Sequence, residues 1–202
     1  MATARLLARL GVALLATAIL SGCSAGTDFK RPDAATFQLG RTTEKEIRDR
    51  FGEPRSQATI QANDRTIKIL RYAYAEAAPY VEKVPARAMV YSFHEGTLVG
   101  FDYSSSFSSD KTDFDDSVLG QIRRGETTQD QIRGLLGPPT GQFIYPSTIV
   151  STPDQHAYHY SYSRTDKPPI GGPLKTVIKE LAIIFDSRGI VTDTKLSISG
   201  NK

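Results

Sequence analysis

Three histidines, one cysteine and a short run of aspartates are the residues here best suited to chemistry, and their spacing argues against most of it. His94, His156 and His159 form no His-x-x-x-His or His-Glu-x-x-His pattern of the kind that puts two zinc ligands on one helix face. His156 and His159 are three apart in a stretch that alternates like a strand, which sends them to opposite faces and away from a shared metal. Asp110, Asp113, Asp115 and Asp116 could attract Ca²⁺, but they lack the spacing and glycine of an EF-hand loop. Asp115 fits better as a cap or first-turn anion on the helix expected next. Serines are plentiful, but none is read as a nucleophile, and no glycine loop is built to cradle phosphate. The expectation is a protein without catalytic residues, bound metal or cofactor, since site chemistry needs convergent titratable groups.

What remains is aromatic. Tyr72 and Tyr74, and then Tyr158, Tyr160 and Tyr162, occupy alternate positions and so line one face of each of two strands. As an exposed platform they would be partner-binding residues, because tyrosine gives large contact area at low entropy cost. Under a helical layer they would be core residues with hydroxyls at the edge. The expectation leans to burial, which would leave the opposite face, with His159, Ser161 and Ser163, as a smaller and more polar binding surface.

The one cysteine has a place of its own. Arg5 and Arg9 precede an uncharged apolar run, Leu10 to Leu20, too short to span a bilayer comfortably and so read as a secretory signal. Leu20-Ser21-Gly22-Cys23 closes the run and resembles a bacterial lipobox, which implies cleavage before Cys23 and acylation of that residue. Ser24, in place of Asp, resembles the sorting pattern of lipoproteins sent to the outer membrane, where the chain would face the periplasm. Removing residues 1–22 takes away both arginines, so the formal charge falls from +3 to +1. A nearly neutral chain with no basic run offers nothing to nucleic acid. With a single cysteine, no disulfide can form within the chain, and stability must come from packing.

The elements that position these residues come in two copies. Residues 40–54 return 85 positions later as 125–139, with seven of fifteen columns identical. Thr43 and Thr128 suit helix N-caps, and Glu46 and Gln131 complete capping boxes. Ile47 with Phe51, and Ile132 with Leu136, share one face of a short helix. Gly52 and Gly137 suit left-handed ends, and Pro54 and Pro139 prevent continuation. Further helices are expected at 33–39 and 115–124. Strands are expected at 55–61, 66–75, 88–94 and 97–104, and again at 141–145, 156–164, 180–186 and 190–197. The first of each four is either a sheet strand or an extended lead-in. The fold class expected is α+β: two tandem ααβββ modules, each with two short helices packed on an antiparallel sheet. The domain plan is a signal peptide at 1–22, a tether at 23–32, a first module at 33–104, a serine-rich linker at 105–114 in which Phe107 could dock, and a second module at 115–202. Insertions at 76–85 and 165–173 interrupt the same connection in both copies and are candidate binding loops.

A lipobox, then Gly-x-Thr with a helix ending in Gly-x-Pro, then a three-stranded sheet, resembles the SmpA/OmlA family of small outer-membrane lipoproteins. Gly40, Thr42, Ile47, Gly52 and Pro54 carry the motif, as do Gly125, Thr127, Ile132, Gly137 and Pro139. The tandem arrangement also resembles secreted β-lactamase inhibitor proteins. These resemblances imply a lipid-anchored, non-catalytic scaffold that binds an envelope protein, in outer-membrane protein assembly or envelope integrity; an inhibitor of an envelope or extracellular enzyme is the alternative.

Overall fold

The computed structural model describes residues 25–76, 84–166 and 175–200; Cys23, the signal sequence and most of both insertions lie outside these. Eight strands form one continuous antiparallel sheet in chain order. They are β1 (Ser56–Ala62), β2 (Arg65–Ala75), β3 (Ala86–His94), β4 (Thr97–Ser105), β5 (Gly141–Ile144), β6 (His156–Asp166), β7 (Lys175–Phe185) and β8 (Val191–Gly200). Two α-helices, α1 (Glu44–Phe51) and α2 (Gln129–Leu136), lie on one face.

This overturns the expectation of two tandem ααβββ modules. Each half contributes one α-helix and four strands, and the halves share one sheet. The helices expected at 33–39 and 115–124 are 3-10 turns, Ala34–Thr36 and Asp116–Gln121. Asp33 and Asp115 satisfy the first free amides of these turns with their carboxylates. A segment under two turns long, with Gly120 inside the second, cannot offset the cost of nucleating an α-helix. The stretches after the Gly-x-Pro turns, β1 and β5, are full sheet members.

The repeated motif docks identically in both halves. Gly40 N–H donates to Leu98 O (2.8 Å), Leu98 N–H to Thr42 O (2.8 Å) and Glu44 N–H to Gly96 O (3.0 Å), so Gly-x-Thr-Thr lies along the β3–β4 hairpin. Gly125, Val191, Thr127, Gln129 and Gly189 reproduce this on the β7–β8 hairpin at 2.8, 2.9 and 3.0 Å. The buried-side hydroxyls then close the turn: Thr42 accepts from Gln38 N–H and Thr127 from Arg123 N–H. Both capping boxes form, and Gly52 and Gly137 have φ of 75° and 77° with extended ψ, a backbone state that glycine adopts without strain. From each helix one isoleucine, Ile47 or Ile132, is driven into the aromatic and aliphatic core beneath it.

β4 and β5 join the halves over three residue pairs, Gly100 with Phe143, Phe101 with Gln142 and Asp102 with Gly141. Both glycines are needed for close approach. A Cβ on Gly141 would stand 2.4 Å from Phe101 O, and one on Gly100 would stand 2.1 Å from the Phe143 ring. On the side away from the helices, Asn63 Nδ2 in the β1–β2 turn donates to Ser147 O (2.8 Å) and Val150 O (3.0 Å). That contact joins the β1–β2 turn to the β5–β6 connection.

Segment 105–114 is packed. Arg87 donates to Asp110 (2.7 Å) beneath the Phe107 ring, which lies 4.0 Å from the guanidinium and stacks on Tyr74. Burial opposes ionisation of Asp110, but hydrogen bonds from Arg87, Ser105 and Tyr103 outweigh it and hold the carboxyl down to about 2.

Gly141→Ala should destabilise the protein by about 2 kcal/mol through overpacking at the seam. Gly120→Ala, where a Cβ meets nothing within 4 Å, should be neutral or stabilise by up to about 1 kcal/mol. Urea denaturation of the two variants beside the wild type measures both.

Candidate binding face

The tyrosine rows point toward the helices. Tyr72, Tyr158 and Tyr160 are 7%, 7% and 1% exposed. Tyr72 donates its hydroxyl to Gly52 O (2.9 Å) and Tyr160 donates to Gly137 O (3.0 Å), so each ties a strand to the glycine that ends its helix. Tyr74 is half-buried against Phe107 (6.2 Å, interplanar angle 16°), and Tyr162 is half-buried on the same side. None of the five forms an exposed platform. Tyr91, which strand alternation does not single out, is wholly buried with no partner for its hydroxyl among the described residues.

The helix-free face is different in kind. One register row crosses it as Arg71, Val90, Asp102, Gly141, His159, Ala182 and Lys195. On one side of this row the face is apolar, with Phe143, Ala157 and Ile184 packed under Val150 of the β5–β6 connection. On the other side Ala73, Ala88 and Ser104 keep the first half shallow, whereas in the second half Ser161, Ser163 and Ser197 alternate with the larger Glu180 and Ile178. Small side chains let an approaching surface come close to the sheet backbone, while exposed Arg71 and Lys195 put cations at the margins.

At the centre lies a polar group that assembles across β4, β5 and β6. Asp102 reaches past Gly141, which has no side chain to block it, to His159, whose Nδ1 is 2.9 Å from Asp102 Oδ1. The approach is off the axis of a ring N–H, so the contact joins a bent hydrogen bond to the attraction between charges. The one hydroxyl hydrogen of Thr140 has Asp102 (3.2 Å) and His159 O (3.1 Å) as acceptors within reach, and its oxygen accepts from Ser161 N–H (2.8 Å), which replaces the ladder where β5 begins. Burial disfavours the charged imidazole, but Asp102, and more weakly Glu180, outweigh it and raise the His159 pKa above 6.5. Both side chains are nearly covered, at 10% and 14% exposed, so the pair shapes the face more than it reacts there. Beyond Gly141, where β4 and β6 run on without β5 between them, a cavity of about 450 Å³ opens between Phe107, Lys111, Tyr162 and Arg164.

His159, Ser161 and Ser163, singled out by strand parity, do share this face. Nothing local in the sequence points to Asp102, Thr140 or Gly141, and no motif joins Asp102 to a histidine 57 positions on. The other candidates disperse. His94 faces Thr66 O (3.2 Å), and His156 stacks on Phe185 (5.4 Å) on the opposite face from His159, where burial lowers its pKa. Asp113 and Asp116 pair with Lys179 at 3.1 and 2.9 Å, Asp115 caps its 3-10 turn, and no metal-binding group forms among the described residues. The chain does hold a Ser-x-x-Lys spacing at Ser108 and Lys111, although no serine is expected to be a nucleophile. Both residues are exposed, on and after a three-residue 3-10 turn.

Tyr160→Ala should cost about 3 to 5 kcal/mol and Tyr160→Phe about 1 kcal/mol, whereas Tyr91→Phe should be neutral or stabilising because it removes a buried hydroxyl without a partner. Chemical denaturation distinguishes the three. The raised His159 pKa adds stability that is fully present below 6.5 and is lost as pH rises through the folded value. Asp102→Asn should therefore lower the His159 midpoint in an NMR titration and flatten the pH dependence of stability in that window; an unmoved midpoint would exclude the pairing.

No protein-family model matches the chain, SmpA/OmlA included, and no curated protein matches it significantly. Among solved structures, the chain is similar to a "putative beta-lactamase inhibitor protein" from Streptococcus mutans, at 13% identity and a TM-score of 0.37, over 77% of this chain and 82% of that one.

Proposed function

We propose that the protein is a lipid-anchored, non-catalytic binding module of the cell envelope that holds a partner protein on the helix-free face of its sheet. The observation that carries this is the asymmetry of the sheet: large aromatics and both helices on one face, and on the other a helix-free surface of mostly small side chains, broken by Glu180 and Ile178, between the exposed cations Arg71 and Lys195. A face of that kind is suited to close contact over a broad area, with Arg71 and Lys195 selecting an acidic rim on the partner.

Anchoring through an acylated Cys23, outer-membrane placement and a periplasmic orientation rest on the lipobox and Ser24. More than one acyl chain gives stable attachment, since one alone binds marginally. The SmpA/OmlA-like motif directs the partner search to envelope proteins, those of outer-membrane protein assembly among them. The second reading, inhibition of an envelope enzyme, uses the same face. It is favoured by the single continuous sheet, which brings both halves onto one face, part of it covered by the β5–β6 connection.

Capture of detergent-solubilised protein from envelopes should recover an envelope protein in stoichiometric amounts. Arg71→Glu with Lys195→Glu should abolish that recovery without shifting thermal stability. Undiminished recovery by the double variant would remove this face from consideration. Cys23→Ala should abolish fatty-acid labelling and release the protein from the membrane fraction.

A further inference from the structure

The residues expected to act as a free tether are bound to the body of the protein. Ala25 and Ala75 exchange both backbone hydrogen bonds at 2.9 Å, at the last residue of β2. Gly26 is pressed so close that a Cβ there would stand 2.1 Å from Ala73 O. Asp28 pairs with Arg87, Phe29 meets Tyr103 edge-on at 6.3 Å, and Arg31 donates to Pro139 O at 2.6 Å in the other half. Cys23 lies two residues before Ala25, so it stays within about 7 Å of that bridge, the reach of two extended residues.

That bridge marks one end of the sheet. β2 and β6 finish there at Ala75 and Asp166, and β3 and β7 begin there at Ala86 and Lys175, so both long connections leave from it. The turns at Asn63–Asp64, Glu95–Gly96 and Ser187–Gly189 occupy the opposite end. The side chains at the first end have the composition of a headgroup boundary. Lys111 and Lys175 are exposed; the Arg164 side chain, 41% exposed, pairs with Asp166 at 3.0 Å, and Glu76 is exposed next to Ala75. Two of the exposed large aliphatics, Ile178 (37%) and Ile198 (57%), sit in the same end of β7 and β8. Cations that reach phosphates beside aliphatic side chains that enter the acyl boundary are what a lipid surface recognises.

We infer that this end of the sheet docks on the phospholipid surface, so that the helix-free face stands upright from the bilayer and presents its row of residues sideways to the partner. The inference rests on acylation of Cys23 and adds an orientation to it. The sheet end is held against the headgroups by the docked 25–33 segment, whereas a flexible tether would leave the body free to tumble. The far turns then point into the aqueous compartment.

Because the sole native cysteine would carry lipid, a second cysteine can be labelled selectively. Full-length acylated protein bearing Ser109→Cys or Lys175→Cys at the near end, or Arg65→Cys or Ser187→Cys at the far end, is labelled with a fluorophore. Each is reconstituted into phosphatidylethanolamine–phosphatidylglycerol vesicles that contain a headgroup nitroxide. The near-end labels should be quenched at least threefold more than the far-end labels. Acyl mass on the Cys23 peptide with equal quenching at all four sites would overturn the orientation alone. Absence of acyl mass would overturn the anchoring and the orientation with it.

Discussion

Three residue pairs decide the architecture. The short ladder between β4 and β5 is all that continues the sheet from one half of the chain into the other, and it exists because Gly100 and Gly141 leave room for it. Without that ladder each half would expose an edge strand of unpaired amides and carbonyls, an invitation to pair with another chain. With it, β1 and β8 are the outer strands among the described residues, although β4 and β6 run on beyond the short β5. The seam also gives the polar centre its place: Asp102 can reach His159 only because the strand between them carries no side chain at Gly141. Joining the halves and building the centre of the open face are thus one structural event.

The two halves solve the same local problem by the same means. A threonine pair caps a helix, lays the preceding backbone along a hairpin, and lets the next glycine receive a tyrosine hydroxyl from β2 or β6. Each of these contacts contributes modestly, on the order of 1 kcal/mol, but they converge on one helix of eight residues, which could not persist in isolation. Helix, hairpin and strand therefore order together within each half, and the aromatic core closes beneath them.

Local grammar is legible in the sequence and assembly is not. The capping boxes, the positive φ of Gly52 and Gly137 and six of the strands follow from residue types a few positions apart and lie within a few residues of where the chain pattern puts them, whereas the pattern leaves β1 and β5 open between strand and extended lead-in. The extra helices expected at 33–39 and 115–124 do begin at capping carboxylates, Asp33 and Asp115, but the turns they start stay 3-10 and stop at Thr36 and Gln121. Two separate modules are the natural expectation because the repeat is strong and the serine run between the copies looks like a hinge. The union of the halves depends on the absence of side chains at Gly100 and Gly141, and a glycine in a strand just as readily marks a bulge or a bend. The polar centre is half visible: parity places His159 and Ser161 on one face, but their partner Asp102 comes from a strand in the other half, which only the register of β4 on β5 brings near.

The docked amino-terminal segment also imposes an order of events. Asp28 must find Arg87, 59 residues later, and Arg31 must find Pro139, 108 residues later. A chain that emerges from its amino terminus makes this segment first and completes its contacts only after both β3 and the start of the second half have followed. Contacts of such long sequence separation close late, after the loop entropy between them has been met by nearer ones. Residues 25–33 act as a latch: the first half alone offers a seat for Ala25, Asp28 and Phe29, and Arg31 on Pro139 fastens that segment to the second half once the two have met.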